Sequence, residues 1–281
     1  RRGINLESDL EELLSHPVLP KAEEHFNDLE KATKRILEAC DSNEKIAICG
    51  DYDADGITST ILLCELLSKL GAKPIPFIPS RLNDGYGLNL KIIDEVYKHK
   101  ISLLITVDNG ISAFQAIKRA NEIGIDLIIT DHHKIPMFVE DIYALIHPET
   151  SPKNSPYKYL AGVGIAYMLA QNICEKTKFD ISKTAANELF CIGTIADMAP
   201  LIGANRKWLK ENLPIITRTS NIGIKAIINK LKIRHSDIST EDIGYKIAPF
   251  INAVGRIGDP KLIMDLLSSK SQKNVNEMIK E

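Results

Sequence analysis

The sequence has few of the features that mark secreted, disulfide-rich or membrane proteins. Its 281 residues include five cysteines, an odd number without a Cys-x-x-Cys pair, which argues against both a disulfide framework and a zinc site. No apolar run is long enough to span a bilayer. The charged, amphipathic stretch Arg1–Leu14 lacks the apolar core of a signal peptide. We therefore expect buried thiols, a reducing cytoplasmic location and no membrane partner.

The net charge is also small, at −2, so composition alone does not indicate a nucleic-acid-binding protein. Basic residues can nevertheless be concentrated on one face of such a molecule. Hydrophobic residues make up 44% of the chain and charged residues 26%, which is typical of a soluble globular protein. The length suits two packed domains or one large domain with a lobe attached, and we expect a monomer.

Apolar runs of strand length alternate with helix-period segments in the first half of the chain. The predicted strands are Lys45–Cys49, Pro74–Ile78, Leu103–Val107, Asp126–Thr130 and Ala144–Ile146. The predicted helices between them are Ile57–Leu70, Leu90–Lys98 and Ser112–Ile123. This alternation indicates parallel strands joined by crossover helices, hence an α/β fold with a doubly wound, mainly parallel five-stranded sheet. Such sheets bind ligands beyond the carboxyl ends of their strands.

The second half of the chain has a mostly helical pattern. It follows a polar, proline-bearing loop at Pro148–Tyr157. The predicted helices are Leu160–Lys176, Ser182–Ile195, Arg206–Thr217, Gly223–Lys230 and Glu241–Ala248. We predict four parts: an N-terminal helical segment (1–40), an α/β metal-binding core (41–158), a C-terminal helical lobe that completes the domain (159–258) and the start of an interdomain linker helix (259–281).

Three of the predicted strands end in short polar clusters. These clusters are Asp51-Tyr52-Asp53-Ala54-Asp55, Asp108-Asn109-Gly110 and Asp131-His132-His133. A fourth acid, Asp197, interrupts an apolar, helix-like run. If the sheet is parallel, the first three clusters meet at one edge.

Convergence of these clusters would place at least four carboxylates and two imidazoles in a small volume. Uncompensated carboxylates repel one another and raise each other's pKa values, and divalent cations remove this penalty. Mixed carboxylate and imidazole ligands suit Mn²⁺ better than Ca²⁺, and Mg²⁺ is also compatible. Two ions sharing a carboxylate would activate water and bind the attacking and leaving oxygens of a phosphoester. The pattern therefore favours a two-metal phosphoesterase with two Mn²⁺ or Mg²⁺ ions per site.

Each cluster on its own has a simpler explanation. Asp-Gly after a strand is common turn chemistry, paired histidines are often surface or capping residues, and Asp197 could face solvent. The three acids at alternate positions from Asp51 to Asp55 are harder to explain, because they cost stability without a cation. An EF-hand is excluded because the distal glutamate is missing and an apolar helix follows at once. All four clusters in this order on an α/β pattern favour a site.

The same clusters resemble the motifs of the DHH phosphoesterase superfamily. The matching segments are Gly50–Ser59, Val107–Gly110, Asp131–His133 and Gly193–Pro200. Two further segments, Arg81–Gly87 and Asn252–Arg256, resemble the RecJ family of 5′→3′ exonucleases specific for single-stranded DNA. The resemblance extends over nearly the whole chain. Relatives normally continue into a substrate-binding domain that carries a Gly-Gly motif. This sequence contains no Gly-Gly pair. It therefore resembles a catalytic core fragment.

The resemblance implies roles for the matched residues. The implied metal ligands are Asp51, Asp53, Asp55, Asp108, His132 and Asp197, with Asp108 bridging the two ions and Asp51 either a ligand or directly beside one. His133 would contact the scissile phosphate, and Asp131 would orient the histidine pair. The implied phosphate-binding residues are Thr58, Ser59, Arg81, His133, Asn252 and Arg256.

The resemblance also implies an activity. It would be 5′→3′ exonuclease action on single-stranded DNA that releases 5′-mononucleotides in recombination and repair, with duplex DNA excluded by a narrow approach to the metals. Single-stranded DNA would be the partner, with a helicase and a single-strand-binding protein as further candidates. Other branches act on short oligoribonucleotides, cyclic dinucleotides or pyrophosphate. Non-catalytic replication scaffolds related to RecJ lose the acids, whereas this sequence keeps them.

A basic stretch lies between Arg206 and His235, with eight lysines and arginines and a single acid, Glu211. Such a run is usually a solvated helix face, and the alternative is a surface that follows a phosphate backbone. Trp208 and Tyr245 could stack on bases, but burial in the helical lobe is favoured for both.

Overall fold

The protein is described by a computed structural model that covers residues 18–79, 87–137, 141–234 and 236–280. The strands are β1 (Ile46–Cys49), β2 (Ile75–Phe77), β3 (Leu103–Val107), β4 (Asp126–Thr130) and β5 (Ala144–Ile146). They form one sheet in the order β2-β1-β3-β4-β5, and every neighbouring pair is parallel. This confirms the predicted doubly wound α/β sheet.

Helices make up most of the remaining described chain. The first four are α1 (Leu29–Asp41), α2 (Ala54–Lys69), α3 (Leu90–Lys98) and α4 (Phe114–Glu122). The next four are α5 (Gly162–Thr177), α6 (Ala186–Ala196), α7 (Gly203–Ile216) and α8 (Ile222–Lys230). A helical turn at Thr240–Asp242 and a π-helical segment at Ile243–Ile247 lead into α9 (Ala248–Ile257), which is followed by α10 (Pro260–Ser268) and α11 (Gln272–Met278). Short 3₁₀ turns lie at Ala22–Glu24, Pro148–Thr150 and Ile181–Lys183.

The sheet is buried on both faces, as its nearly continuous apolar strands require. Along β1, Ile46 and Ile48 face one core, which also contains side chains of α1, α2, α5 and α6. Ala47 and Cys49 face a smaller core formed with α3 and α4. Helices cover both faces of the described sheet, so we expect ligands at the ends of its strands.

The strand order brings the polar clusters together. From β1 the chain runs outward to β2 and then crosses back to β3 on the other side of β1. The register of β1 and β3 places Cys49 beside Thr106. The register of β3 and β4 places Val107 beside Thr130. Strands β1, β3 and β4 therefore end at nearly the same level. The direction in which successive strands are added reverses between β1 and β3, and a crevice forms beyond the carboxyl ends of strands at such a point. Asp51 and Asp108 follow these two strands and lie at that crevice.

The end of the described chain packs onto the helical lobe. Apolar side chains of α10 and α11, including Ile263, Leu267 and Val275, are buried; α10 contacts α2 and α8, and α11 contacts α8. Residues 259–281 were predicted as the start of a linker helix, whereas the structure has two short helices in this range. The division of the chain into domains stays a prediction.

The two aromatic residues considered for base stacking have different surroundings. Trp208 is buried among the rings of Tyr157, Tyr167 and Phe190, which confirms the predicted burial. Tyr245 is 83% exposed, so its predicted burial is wrong. Tyr245 lies in the π-helical segment, whose wider turn gives its side chains a different spacing from those of an α-helix.

The cysteines agree with the expectation of free thiols, since all five are unpaired. Three of them, Cys49, Cys174 and Cys191, are buried, and the other two are partly buried. Across the described ranges, no helix has both the length and the apolar character needed to cross a membrane.

A buried arginine ties the sheet together at the end opposite the polar clusters. Arg35 of α1 donates a hydrogen bond of 2.6 Å to Asp126 at the start of β4 and one of 2.7 Å to Glu44 before β1. Glu44 also accepts a hydrogen bond from Ser102, the residue before β3. One guanidinium therefore fixes the relative positions of a helix and the starts of three strands.

Replacing Arg35 with alanine should lower the free energy of unfolding by about 1.5–3 kcal/mol, the range for hydrogen bonds to charged groups. Hydrogen bonds from Arg35 and Ser102 hold the pKa of Glu44 below its ordinary value of 4.5. A lowered carboxyl pKa stabilises the fold above the unfolded-state pKa, and this stabilisation is lost as pH falls through the folded-state pKa. The penalty should therefore be full at pH 7 and smaller below pH 4.5.

Urea denaturation at pH 7 and at about pH 4 measures this penalty. Lys34→Ala is the matched control, because the Lys34 side chain is 77% exposed and only pairs with Glu38 at 3.8 Å. We expect that variant to lose less than about 0.5 kcal/mol. An equal loss in the two variants would show that Arg35 contributes no more than a surface charge.

Candidate metal centre

The first acidic cluster forms a tight loop between β1 and α2. Asp53 caps α2, since its Oδ1 accepts hydrogen bonds from the backbone N–H groups of Asp55 (2.9 Å) and Gly56 (3.0 Å). A Cβ atom on Gly56 would lie 2.5 Å from the backbone nitrogen of Asp51, so the loop closes only around a glycine. Asp51 is buried, and its Oδ1 has no hydrogen-bond partner among the described residues.

The hydroxyls of Thr58 and Ser59 have partners inside α2, while their phosphate role stays a prediction. Helix α2 begins at Ala54 and not at Ile57, so both residues lie in its second turn. Their hydroxyls are fully buried and donate to backbone carbonyls of the preceding turn. The N–H groups at the start of α2 bind Asp53 and Asn252. Within the described part of the chain, the start of α2 is therefore capped by side chains.

Asp55 points from the first turn of α2 to the start of a second helix. Its two carboxylate oxygens accept hydrogen bonds from the backbone N–H groups of Gly162 (2.8 Å) and Val163 (2.7 Å), the first residues of α5. The partial positive charge of a helix N-terminus stabilises a carboxylate there. Asp55 is therefore held in one orientation although it is almost completely buried.

Asp108 directly follows β3 and turns sharply into the site. Its φ of 60° lies in the left-handed region, which asparagine and aspartate tolerate better than most residues. Its Oδ1 lies 3.0 Å from Nε2 of His132 but accepts no well-formed hydrogen bond from any described residue. Asn109 braces this turn: its Nδ2 donates to the carbonyls of Cys49 and Val107.

The third cluster is organised by hydrogen bonds to Asp131, whose role in orienting the histidine pair for catalysis stays a prediction. Its Oδ1 accepts hydrogen bonds from the backbone N–H groups of both histidines and lies 2.7 Å from Nδ1 of His133. Its Oδ2 accepts from the N–H of Ile111 at 3.0 Å. Burial acts to raise the pKa of Asp131, but these hydrogen bonds outweigh burial and hold the pKa below its ordinary range.

His132 lies between carboxylates from three different parts of the chain. Its Nε2 lies 3.0 Å from Asp108 and 3.8 Å from Asp55, and its Nδ1 lies 3.9 Å from Oδ2 of Asp197. Asp197 reaches the cluster from the carboxyl end of α6, where it is the C-terminal cap residue. The structure thus brings together acids from β1, β3, β4 and the helical lobe.

Among the residues that the structure describes, three overlapping groups of side chains have ligand atoms within 4.8 Å of one another, close enough to hold a metal ion. The groups are Asp51–Asp53–Asp108, Asp108–His132–His133 and Asp55–His132–Asp197. Asp108 and His132 each belong to two groups, which is the arrangement that ions sharing a ligand require. His133 lies close enough to be a ligand, and its phosphate contact stays a prediction.

The electrostatics of the cluster also fit a cation. Burial raises the pKa of Asp55 and of Asp108 well above the ordinary range, and neighbouring carboxylates raise both further. Burial and the charge of Asp53 raise the pKa of Asp51 to about 7. Burial likewise raises the pKa of Asp197. A divalent cation reverses such shifts, because it favours the charged form of each carboxylate. The unpartnered oxygens of Asp51 and Asp108 are suitable ligands.

Sequence reasoning missed two residues that support the site. His147 is fully buried after β5 and binds the carbonyl of His133 through Nε2 at 2.7 Å, while its Nδ1 accepts from the N–H of Glu149. Gly162 lies so near the third strand's acid that a Cβ there would be 2.4 Å from Cβ of Asp108. His147 and Gly162 both lie outside the polar clusters, and only the three-dimensional contacts identify them.

The predicted phosphate-binding residues have different outcomes. Arg81 and the side chain of Arg256 lie outside the described residues. Asn252 is on α9, and its Oδ1 accepts a hydrogen bond from the N–H of Ala54 at 2.8 Å.

In the basic stretch between Arg206 and His235, Lys207 pairs with Glu211 at 2.9 Å, while Lys210 and most of the other basic residues are exposed. That exposure agrees with both of its interpretations.

The sequence matches one known family. Residues 45–194 match the DHH family, N-terminal domain. The chain is 39% identical over 256 residues to the single-stranded-DNA-specific exonuclease RecJ of Bacillus subtilis (strain 168). That match covers 90% of this chain and 32% of the relative, so the chain spans about a third of the relative's length.

Solved structures with this fold have been crystallised with metals. An exonuclease RecJ bound to manganese has a TM-score of 0.82 and 30% identity, and the match covers 95% of this chain and 65% of that one. RecJ from Thermus thermophilus in complex with Mg²⁺ has a TM-score of 0.71 and 27% identity, covering 99% of this chain and 36% of that one.

Proposed function

This chain belongs to the DHH family, and from that membership we propose that it hydrolyses phosphodiester bonds of single-stranded DNA with two Mn²⁺ or Mg²⁺ ions. The proposed activity is that of a 5′→3′ exonuclease releasing 5′-mononucleotides in recombination and repair. The observation that carries it is the convergence of Asp51, Asp53, Asp55, Asp108, His132 and Asp197 into overlapping groups of potential ligands. Similarity to the RecJ exonucleases over most of the chain supports the choice of substrate.

In this proposal the cations and the histidine loop have different roles. The two cations would supply Lewis acidity and charge neutralisation at a phosphoester. Asp131 holds His133 through Nδ1, which orients that ring at the partly exposed edge of the site, where we place its contact with the scissile phosphate. His147 holds the carbonyl of the same residue from the protein interior. The histidine loop is thus fixed from both sides, as positioned catalytic groups require.

Other features of the proposal rest on the resemblance alone. They are the phosphate contacts of Arg81, Asn252 and Arg256, the narrow approach that excludes duplex DNA, and recruitment by a helicase or a single-strand-binding protein. The cytoplasmic location and the monomeric state, which we expected from the sequence, also belong to the proposal. Because the chain spans about a third of the B. subtilis relative, its activity in isolation is itself part of the proposal.

A substrate panel tests the proposed function. We expect release of mononucleotides from a 5′-phosphorylated single-stranded DNA oligonucleotide with Mn²⁺, and none with EDTA. The comparison substrates are the same oligonucleotide as a blunt duplex, an oligoribonucleotide of equal length, a cyclic dinucleotide and pyrophosphate. Preferential hydrolysis of any of the last three would favour another branch of the family. Failure to bind Mn²⁺ in a calorimetric titration would instead favour a non-catalytic scaffold.

A further inference from the structure

Helix α9 reaches back to the first acidic loop from the far end of the chain. The side-chain Oδ1 of Asn252 accepts a hydrogen bond of 2.8 Å from the backbone N–H of Ala54, a residue 198 positions earlier. Ala54 is the first residue of α2, and the first N–H groups of a helix have no acceptor within the helix itself. Asn252 therefore supplies from outside a cap that the local sequence does not provide.

Asn252 shares the capping of α2 with Asp53, which is a candidate metal ligand. Oδ1 of Asp53 accepts from the next two N–H groups, those of Asp55 and Gly56. Three consecutive N–H groups are thus satisfied by Asn252 and Asp53 together. Any shift at the start of α2 moves Asp53 and Asp55 with it, and these two acids belong to different candidate ligand groups.

A second contact shows that the backbone of α9 lies against the same loop. Gly255 is buried, and a Cβ atom placed on it would lie 2.1 Å from the carbonyl oxygen of Tyr52. Tyr52 lies between Asp51 and Asp53 in the sequence. Gly255 follows Asn252 by three residues, so the two lie on the same side of the helix. One face of α9 therefore contacts both the loop, at Tyr52, and the start of α2, at Ala54.

We infer that Asn252 is a positioning residue of the metal centre: its side-chain oxygen holds the start of α2, and with it Asp53 and Asp55, in the geometry that binds cations. This inference rests on the proposed metal centre, and it gives Asn252 a different task from the phosphate contact implied by the resemblance. A side chain that contacts neither cation nor substrate can change metal affinity through the residues it orients.

Titration calorimetry with Mn²⁺ on the complete 281-residue chain tests the inference. Asn252→Ala should weaken Mn²⁺ binding by about 10–100-fold, the usual effect of losing a group that orients a ligand. Asn252→Asp should retain most of the affinity, because a carboxylate also accepts the hydrogen bond and is favoured at a helix N-terminus. Ala253→Ser is the matched control, since Ala253 is the exposed neighbour on the same helix and should bind Mn²⁺ as the wild type does.

Hydrogen exchange without metal gives a second readout that is independent of activity. The N–H of Ala54 should exchange faster in Asn252→Ala than in the wild type, and at the wild-type rate in Asn252→Asp and Ala253→Ser. If Asn252→Ala does not fold, Asn252→Leu carries the test, because it retains the shape of the side chain but has no acceptor. Wild-type Mn²⁺ affinity in a folded Asn252→Ala or Asn252→Leu protein overturns the inference.

The Mn²⁺ affinity of the alanine variant, compared with that of the aspartate variant, separates this role from phosphate binding. A phosphate contact predicts that Asn252→Asp binds Mn²⁺ normally but repels a 5′-phosphorylated oligonucleotide, and that Asn252→Ala also keeps its Mn²⁺ affinity. The positioning role predicts weaker Mn²⁺ binding in Asn252→Ala alone. Equal losses in Asn252→Ala and Asn252→Asp would overturn the capping role. Absence of Mn²⁺ binding in the wild type would contradict the proposed function itself.

Discussion

Asp108→Asn should abolish Mn²⁺-dependent hydrolysis and at the same time stabilise the metal-free protein. Asp108 belongs to two of the three potential ligand groups, so its loss removes an oxygen from both. We expect hydrolysis of a labelled oligonucleotide to fall by more than the roughly 100-fold that loss of a ligand's outer partner can cost. Asparagine is the appropriate replacement because the residue has a φ of 60°, a conformation that asparagine tolerates and alanine does not.

The opposite effect on stability follows from the electrostatics. Burial and neighbouring acids raise the pKa of Asp108 well above its ordinary range, so its ionised form destabilises the metal-free fold at neutral pH. Replacement by a neutral amide removes that cost and should raise the metal-free melting temperature by about 2–4 °C for each kcal/mol recovered. The added stability that Mn²⁺ gives the wild type should be much smaller in the variant.

A surface aspartate provides the control for this pair of effects. Asp94 on α3 is 56% exposed and lies 4.0 Å from Arg119. Asp94→Asn makes the same chemical change away from the site and should leave both hydrolysis and the metal-free melting temperature nearly unchanged. Hydrolysis by Asp108→Asn at close to the wild-type rate would remove Asp108 from the site and contradict the proposed function.

The prediction of the sheet from sequence succeeded where the pattern is strong. Strands β3, β4 and β5 have their predicted bounds, because apolar runs in a sheet covered on both faces stand out from the polar residues that flank them. Helix α3 also has its predicted bounds. The meeting of Asp108 and His132 follows from the parallel order of β3 and β4 alone. Both residues come just after a strand, so topology fixes their neighbourhood without any detail of packing.

Contacts between distant segments could not be predicted in this way. The predicted start of α2 is wrong, because the helix begins three residues before its apolar period, at a cap made by Asp53. The bond from Ala54 to Asn252 joins residues 198 positions apart, and no local pattern encodes it. Sequence reasoning locates the acids of this site, while their supports depend on how the helical lobe packs against the sheet.

Gly162→Ala should produce a loss of activity almost as large as that of a ligand variant, although glycine carries no chemistry. The added Cβ would lie 2.4 Å from Cβ and 2.8 Å from Cγ of Asp108, closer than atoms can pack. Either Asp108 or the start of α5 must move, and α5 also binds Asp55 through the N–H groups of Gly162 and Val163. A displacement of about 1 Å can lower a rate by about 100-fold, which is the loss we expect for hydrolysis.

A double-mutant cycle on stability identifies the cause of that loss. Gly162→Ala alone should destabilise the protein by about 1–3 kcal/mol through overpacking. In an Asp108→Gly background the opposing Cβ is absent and the left-handed backbone suits glycine, so Gly162→Ala should cost far less there. Gly244→Ala is the control, because its Cβ would meet Ile195 at an ordinary 3.4 Å. Equal destabilisation by Gly162→Ala in both backgrounds would show that the clash is not with Asp108, and that the close approach of α5 does not set the position of that residue.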